Sequence, residues 1–373
     1  MNDGNKQPQF IPGLRLAEDF FREAVEPLIE SHYSDLKYSA ALLGSGSEVL
    51  GLDDEMSSDH HWGPRVMLFL NHDDFESKRD DIKSILSEKL PATFRGYSTN
   101  FSEPDPEDNE DNNVQLMQPA SGPVNHRIEM HTIAGYFNGY LGIDTSMDLR
   151  TVDWLILPQQ KLRSVTSGRV FRDDIGLEDM RARFTWYPYN VWLYIMASAW
   201  ARIGQEEHLM GRAGATGDDN GSAIIGAGLV RDIMQLAFLM EKVYQPYAKW
   251  FGTAFLQLKS AEKLAPVLNK ALHSSSWEER EEALCEAYEE IADMHNSLGI
   301  TERLSSEITQ FFGRPFKVIK GERFTKAILE RIKDPEVIPL TRRGIIGSID
   351  IISDNTDLLS DKMNYSRLRA LYE

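Results

Sequence analysis

Apolar positions along the chain set out its elements. Leu14, Leu16, Phe20, Phe21, Val25, Leu28 and Ile29 fall on one broad face, which predicts an amphipathic helix over residues 14–34. A short, mostly apolar run, YSAALL at 38–43, then ends at Gly44-Ser45-Gly46-Ser47. RVMLFL at 65–70 predicts a buried strand, and residues 73–89 a helix opened by Asp73 or Asp74. Residues 92–100 suggest another strand. In HRIEMHTI, 126–133, the sides alternate, with His126, Ile128 and Met130 opposed to Arg127, Glu129 and His131. Between these lies an acidic, proline-containing stretch, about 102–121, with the composition of a solvated loop.

From about residue 150 the period turns helical. An aromatic-rich helix is expected over 190–210, then a loop over GRAGATGDDNG (211–221) and an apolar helix over 222–244. Shorter helices are expected near 247–258, 261–273 and 322–333. Ser276-Trp-Glu-Glu279 is a capping box that opens a helix to about 297, with Gly299 just past its end. The pattern thus divides at about 150, into an α/β part (1–150) and a helical part (151–373) with an irregular C-terminal tail.

Composition narrows the class. Of 373 residues, 42% are apolar, enough for a sizeable core. No run approaches the ~20 apolar residues of a bilayer span, so no membrane partner is expected. The segment MNDGNKQPQF lacks the basic and apolar regions of a secretory signal, and a single cysteine, Cys285, allows no internal disulfide. A cytoplasmic setting is the expectation. The net charge of -18 opposes a polyanionic partner, so nucleic acid is disfavoured and a small or cationic substrate fits better.

The segment carrying chemistry runs from Leu43-Gly-Ser-Gly-Ser to Ser-Asp-His-His-Trp-Gly-Pro-Arg65, followed by VMLFL. Its order is strand, small-residue turn, short helix or loop, acidic residue, strand. A Gly-Ser turn exposes backbone N–H groups and hydroxyls to a triphosphate. Carboxylates on the adjacent strand can hold two divalent ions about 4 Å apart, which activate the attacking oxygen and neutralise the leaving pyrophosphate.

On these residues the chain resembles the DNA polymerase beta-like nucleotidyltransferase superfamily. Its hallmark is Gly followed by Gly or Ser, a gap of roughly nine to thirteen residues, then Asp-x-Asp/Glu. Here Gly44-Ser45 precedes Asp59-His60-His61 by thirteen residues. Over SSDHHWGPR (57–65), RGYSTNF (95–101), YQPYAKW (244–250), MHNSLGIT (294–301), GRPFKVI (313–319) and GSID (347–350), it resembles more narrowly a bacterial nucleotidyltransferase-like family of unknown function. The resemblance implies an α+β fold, a small mixed nucleotidyltransferase sheet with flanking helices followed by a large α-helical substrate-binding domain. It also implies a metal site of Asp59, His61 and a later carboxylate, Glu129, with Gly44, Ser45 and Ser47 cradling phosphate. His61 departs from the pattern by replacing an acid. An imidazole there weakens magnesium and favours manganese or zinc, and His131, on the strand face of Glu129, would strengthen that set.

In small-molecule members of the superfamily a helical domain closes the cleft. Lys249, among aromatics in YQPYAKW, is a candidate to reach the triphosphate, and Glu206 or Glu207 to act as base. Arg231 and Asp232 could form a buried pair. Trp186, Tyr187, Tyr189, Trp192 and Tyr194 read mainly as core, and Asp53, Asp54 and Glu55 as a solvated loop. The expected activity is metal-dependent transfer of a nucleoside monophosphate from an NTP, first of all ATP, to a small-molecule hydroxyl on a possibly cationic acceptor. The alternatives are a non-catalytic nucleotide or metal sensor, and a metal phosphoesterase suggested by Asp-His-His alone.

Overall fold

The computed structural model describes residues 9–58, 62–104 and 115–373. The fold is mixed α/β, with a small mixed sheet and a large helical region. Two compact units divide the chain: residues 1–147 with 161–185, and residues 148–160 with 186–373.

In the first unit α1 (Gly13–Phe20) runs through a π segment (Phe21–Val25) into α2 (Glu26–His32). Leu16, Ala17, Phe20, Phe21 and Val25 are wholly buried, as the apolar face predicts. Next come β1 (Tyr38–Leu42), β2 (Arg65–Leu70) and α3 (His72–Lys89). Asn71, rather than Asp73 or Asp74, is the N-cap residue, and the two aspartates lie in the first turn, where they favour the helix dipole. The strand expected over 92–100 is instead a tight hairpin of β3 (Thr93–Phe94) and β4 (Tyr97–Ser98). Arg95 and Gly96 turn it, both with positive φ (53° and 88°). β5 (Arg127–His131) and α4 (Ile133–Leu141) follow. The flanks of the acidic stretch are tied down, with Phe101 bridging Met117; residues 105–114 lie outside the described residues.

A further strand, β6 (Arg169–Asp173), lies in a stretch read as helical. RVFRD carries too few apolar residues to announce a strand, but Phe171 joins the core while β6 closes the sheet edge. Strand order is β5-β2-β1-β6; β1 is antiparallel to both β2 and β6, and β2 is parallel to β5. The parallel pair needs a long crossover, which α3 and the hairpin supply. Because side chains alternate, one face gives Tyr38, Ala40, Leu42, Val66, Leu68, Leu70 and Ile128 to a core with α1 and α2. The other carries Ala41, Arg65, Met67, Phe69, Arg127, Glu129 and His131, in the rows Arg65–Arg127, Met67–Glu129 and Phe69–His131.

The second unit is helical, with a short hairpin of β7 (Thr309–Gln310) and β8 (Lys317–Val318). Its main helices are Tyr189–Glu206, Asp219–Met240 and Trp277–Ser297. Asp219–Met240 is apolar and long enough to span a bilayer by composition alone, yet 56% of its most apolar window is buried within the unit. The segment 211–221 is no loop. It forms most of the helix Leu209–Ala215, a turn at Gly217 (φ 83°) and the start of the next helix, capped by Asp218. A Cβ on Gly214 would lie 2.3 Å from Trp277, so glycine here permits close helix packing.

Other polar expectations resolve into structure. Glu207 accepts N–H bonds from Ile319, Lys320 and Gly321 at 2.6–3.1 Å, so it anchors a helix start. Glu206 pairs with Arg202. Arg231 pairs with Asp354, and Asp232 faces Arg202 at 3.5 Å, so the two do not pair with each other. Trp186, Tyr187 and Tyr244 cluster in the core, whereas Tyr189 is 52% exposed.

Candidate functional site

The Gly44–Ser47 turn leaves the end of β1 with Gly44 at φ 83° and Gly46 at φ 135°, values that exclude most side chains. Close neighbours enforce the choice. A Cβ on Gly44 would meet the Tyr136 hydroxyl at 2.6 Å, and one on Gly46 would meet Arg65 and Glu48 at 2.4 Å. Arg65 clamps the turn. Its Nη2 donates to the Ser45 carbonyl at 2.6 Å and its Nε to Glu48 Oε1 at 2.8 Å. Both partners of that ion pair are buried, and burial pushes the Glu48 carboxyl upward despite Arg65. The Gly44 N–H donates to Ser164 at 3.0 Å. The next amides, Ser45, Gly46 and Ser47, donate to no acceptor among the described residues. Ser47 contributes its carbonyl to Leu50 and Leu52, which closes the turn.

Hydroxyls gather beside it. Tyr140 bonds the side chains of Ser45 and Ser164, and burial raises its phenol. Lys161 and Ser164 come from the helix Gln159–Thr166, whose residues from 161 onward belong to this unit. The Lys161 ammonium donates to the Tyr140 carbonyl at 3.2 Å and lies 5.7 Å from its ring centroid. Tyr136 stacks on Tyr140 at 5.7 Å.

On β5, Glu129 Oε2 and His131 Nε2 approach to 3.3 Å. Dense surroundings would raise the Glu129 carboxyl, but His131, Arg65 and Arg127 outweigh them and hold it at about 2. Its side chain is 44% exposed, so it is ionised and open to solvent. Arg127, its neighbour, is lowered to about 10 by burial and by Arg65.

The two-ion arrangement needs carboxylates on the strand next to Glu129. β2 presents Arg65, Met67 and Phe69 there, and the described residues bring no three metal-ligating acids, histidines or cysteines together. The donor set on this face is one carboxylate and one imidazole, bonded to each other and flanked by guanidinium groups that repel a divalent ion. By themselves these two side chains do not make up a two-ion site, and the other expected ligands, Asp59 and His61, lie outside the described residues.

The expected residues therefore separate. Gly44, Ser45, Ser47, Glu129 and His131 share the first unit and its sheet. Asp59, His60 and His61 lie outside the described residues. Lys249 belongs to the second unit, where its exposed ammonium lies 4.9 Å from the Trp250 ring centroid. Asp53 is no solvated loop residue, since it accepts from Gly13 N–H at 2.6 Å and Trp62 Nε1 at 2.9 Å. Arg65, Glu48, Tyr140, Ser164 and Lys161 were missed. The signal for Arg65 was a charge opening an otherwise apolar strand; nothing local marks the others, which reach the turn only through the fold.

Residues 154–251 match the family described as Domain of unknown function (DUF4037). The match includes Lys161, Ser164 and Lys249 but neither the Gly44–Ser47 turn nor β5. No curated protein and no solved structure matches the chain.

Proposed function

We propose that the first unit binds the polyphosphate of a nucleoside triphosphate on the Gly44–Ser47 turn and transfers its nucleoside monophosphate to a hydroxyl of a small molecule. The observation that carries this reading is the run of three backbone amides, Ser45 to Ser47, without an acceptor among the described residues. Successive amides in such a turn form an anion-binding concavity, and Arg65 holds this one in shape. Arg127 and Lys161 add positive charge nearby, and Ser45, an exposed residue, adds a hydroxyl bonded by Tyr140. The sheet, with its Gly-Ser turn at the end of β1 and an acid on β5, supports a nucleotidyltransferase-like assignment. The divalent ion enters with the nucleotide as part of the substrate. ATP is the first nucleotide to test, and the acidic chain favours cationic acceptors such as aminocyclitols.

The test is thermal melting with each NTP and magnesium, manganese or zinc, followed by pyrophosphate release with a panel of hydroxyl acceptors. Ligand at a hundred times its dissociation constant adds about 2.7 kcal/mol of stability, a readable shift. A nucleotide-dependent shift with pyrophosphate release supports transfer; no shift with any NTP sinks it. A second reading, nucleotide binding without turnover, is favoured by the guanidinium groups flanking Glu129. It predicts the melting shift with no pyrophosphate, whatever the acceptor.

A further inference from the structure

Three hydroxyls of the first unit meet at the turn. In IAGYFNGYL, which forms α4, Tyr136 and Tyr140 are four positions apart and so lie on one helix face. Their rings stack with centroids 5.7 Å apart and planes 18° from parallel. Tyr136 is packed in its turn by Phe69 and Phe137, at 5.5 and 5.4 Å between ring centroids. Aromatic packing therefore holds the Tyr140 ring in place, and its phenol bonds the side chains of both Ser164 and Ser45. Ser164 also fixes the start of the turn, its carbonyl accepting the Gly44 N–H at 3.0 Å.

The three are ordered by exposure. Ser164 and Tyr140 are half-buried, whereas Ser45 is exposed and begins the run of amides without an acceptor among the described residues. A hydroxyl has one hydrogen to donate and two lone pairs to accept with. Tyr140 can donate to only one serine at a time, so the direction of one bond constrains the other. An anion on the turn sets that direction. An ionised phosphate oxygen only accepts, so Ser45 must turn its hydrogen outward to meet it. Ser45 then accepts from Tyr140, and Tyr140 from Ser164. Hydrogen bonds aligned in this way strengthen one another, and a bond that ends on a charged acceptor is about twice as strong as a neutral one.

We infer that Ser164, Tyr140 and Ser45 form a directional hydroxyl chain that presents the hydrogen of Ser45 to a phosphate oxygen of the bound nucleotide. Ser45 is the binding residue; Tyr140 and Ser164 are positioning residues that act through it. This rests on the polyphosphate reading above. No proton changes owner, since each hydroxyl keeps its own hydrogen and only its orientation is set.

Calorimetric titration of the full-length chain with ATP and magnesium, without acceptor, tests the chain. Ser45→Ala should raise Kd about 10-fold, and Tyr140→Phe, which keeps the stacked ring, about 5-fold. With Ser45→Ala already in place, Tyr140→Phe should have no further effect, because its route to the ligand is gone. Ser164→Ala should raise Kd about 2-fold and should likewise lose its effect beside Ser45→Ala. It also keeps the test open if ligand-free melting shows that Tyr140→Phe does not fold. A tyrosine that merely props the turn would weaken binding with or without the Ser45 hydroxyl, so equal losses in the two backgrounds overturn the chain. Tyr140→Phe that binds ATP as tightly as the wild type overturns it too. A wild type that binds ATP with none of magnesium, manganese and zinc defeats the polyphosphate reading itself, and the chain with it.

Discussion

Two glycine-rich segments, 44–47 and 211–221, look alike in the sequence and do different work in the structure. In the first, glycine supplies backbone angles: Gly44 and Gly46 have positive φ, and the amides between and after them have no acceptor among the described residues. In the second, Gly211 and Gly214 sit in an ordinary helix and supply the absence of a side chain, so that Trp277 and Phe316 can approach. Each segment also lies against a buried carboxylate. Glu48 beside Gly46 is paired with a charge, Arg65; Glu281 beside Gly211 accepts a backbone N–H from Lys317. Glycine content alone therefore does not tell a turn with open amides from a close helix contact, nor a buried acid in an ion pair from one that accepts a backbone N–H.

The largest expected effect is on the charged carboxylate. Glu48→Gln leaves Arg65 buried without its counter-charge and should cost about 3 kcal/mol or more in chemical denaturation. A loss under 1 kcal/mol would mean that Arg65 does not need the pair to clamp the turn. Next is Gly214→Ala. Its methyl would sit 2.3 Å from Trp277, a clash with the base of a ring that cannot swing away, worth about 3 kcal/mol. Gly217→Ala is the control, with open space around it and only its φ of 83° to strain, about 1 kcal/mol. Equal losses at the two positions would erase the distinction between packing and bending.

Gly44→Ala combines the two effects at the site. The strained φ and the Tyr136 hydroxyl should together cost about 2 kcal/mol and abolish the nucleotide-dependent melting shift. Removing that hydroxyl in Gly44→Ala/Tyr136→Phe should recover part of the stability, a non-additivity expected only of groups in contact. Strict additivity would show that Tyr136 does not shape the turn.

The legible part of this molecule was its periodic part. The amphipathic start, RVMLFL and the long helices follow from apolar spacing, because burial on one face is written residue by residue. Alternation in HRIEMHTI also placed Glu129 and His131 on one face. β6 was hidden because its burial is limited to Phe171 at a sheet edge. The 211–221 segment was misread because glycine that permits packing is spelled like glycine that turns a loop. At the site, Gly44-Ser45 was visible as a local motif. Tyr140, Ser164 and Lys161 were not, since they come to it from 95 or more positions along the chain and carry no spacing of their own.

The smallest effect separates the two buried carboxylates by pH. Glu281 is 7% exposed, and burial raises its carboxyl above the usual range, although Lys317 opposes the shift. A raised folded-state value means that the folded chain holds the proton more tightly than the unfolded chain. This contributes stability below the unfolded value of about 4.3, and that stability is lost as pH rises through the raised value. Glu281→Gln keeps an oxygen for the Lys317 N–H but cannot ionise, so it should cost less than about 1 kcal/mol. Its deficit should be greatest near pH 4, and should shrink or reverse by pH 8, in melting curves run beside the wild type. Glu48→Gln should keep the larger deficit at both pH values, because it leaves a buried guanidinium without its partner, although the raised Glu48 carboxyl gives its deficit the same downward trend as pH rises. If Glu281→Gln instead loses more stability at pH 8 than at pH 4, the ionised carboxylate is what Lys317 requires, and the two acids serve the fold in the same way.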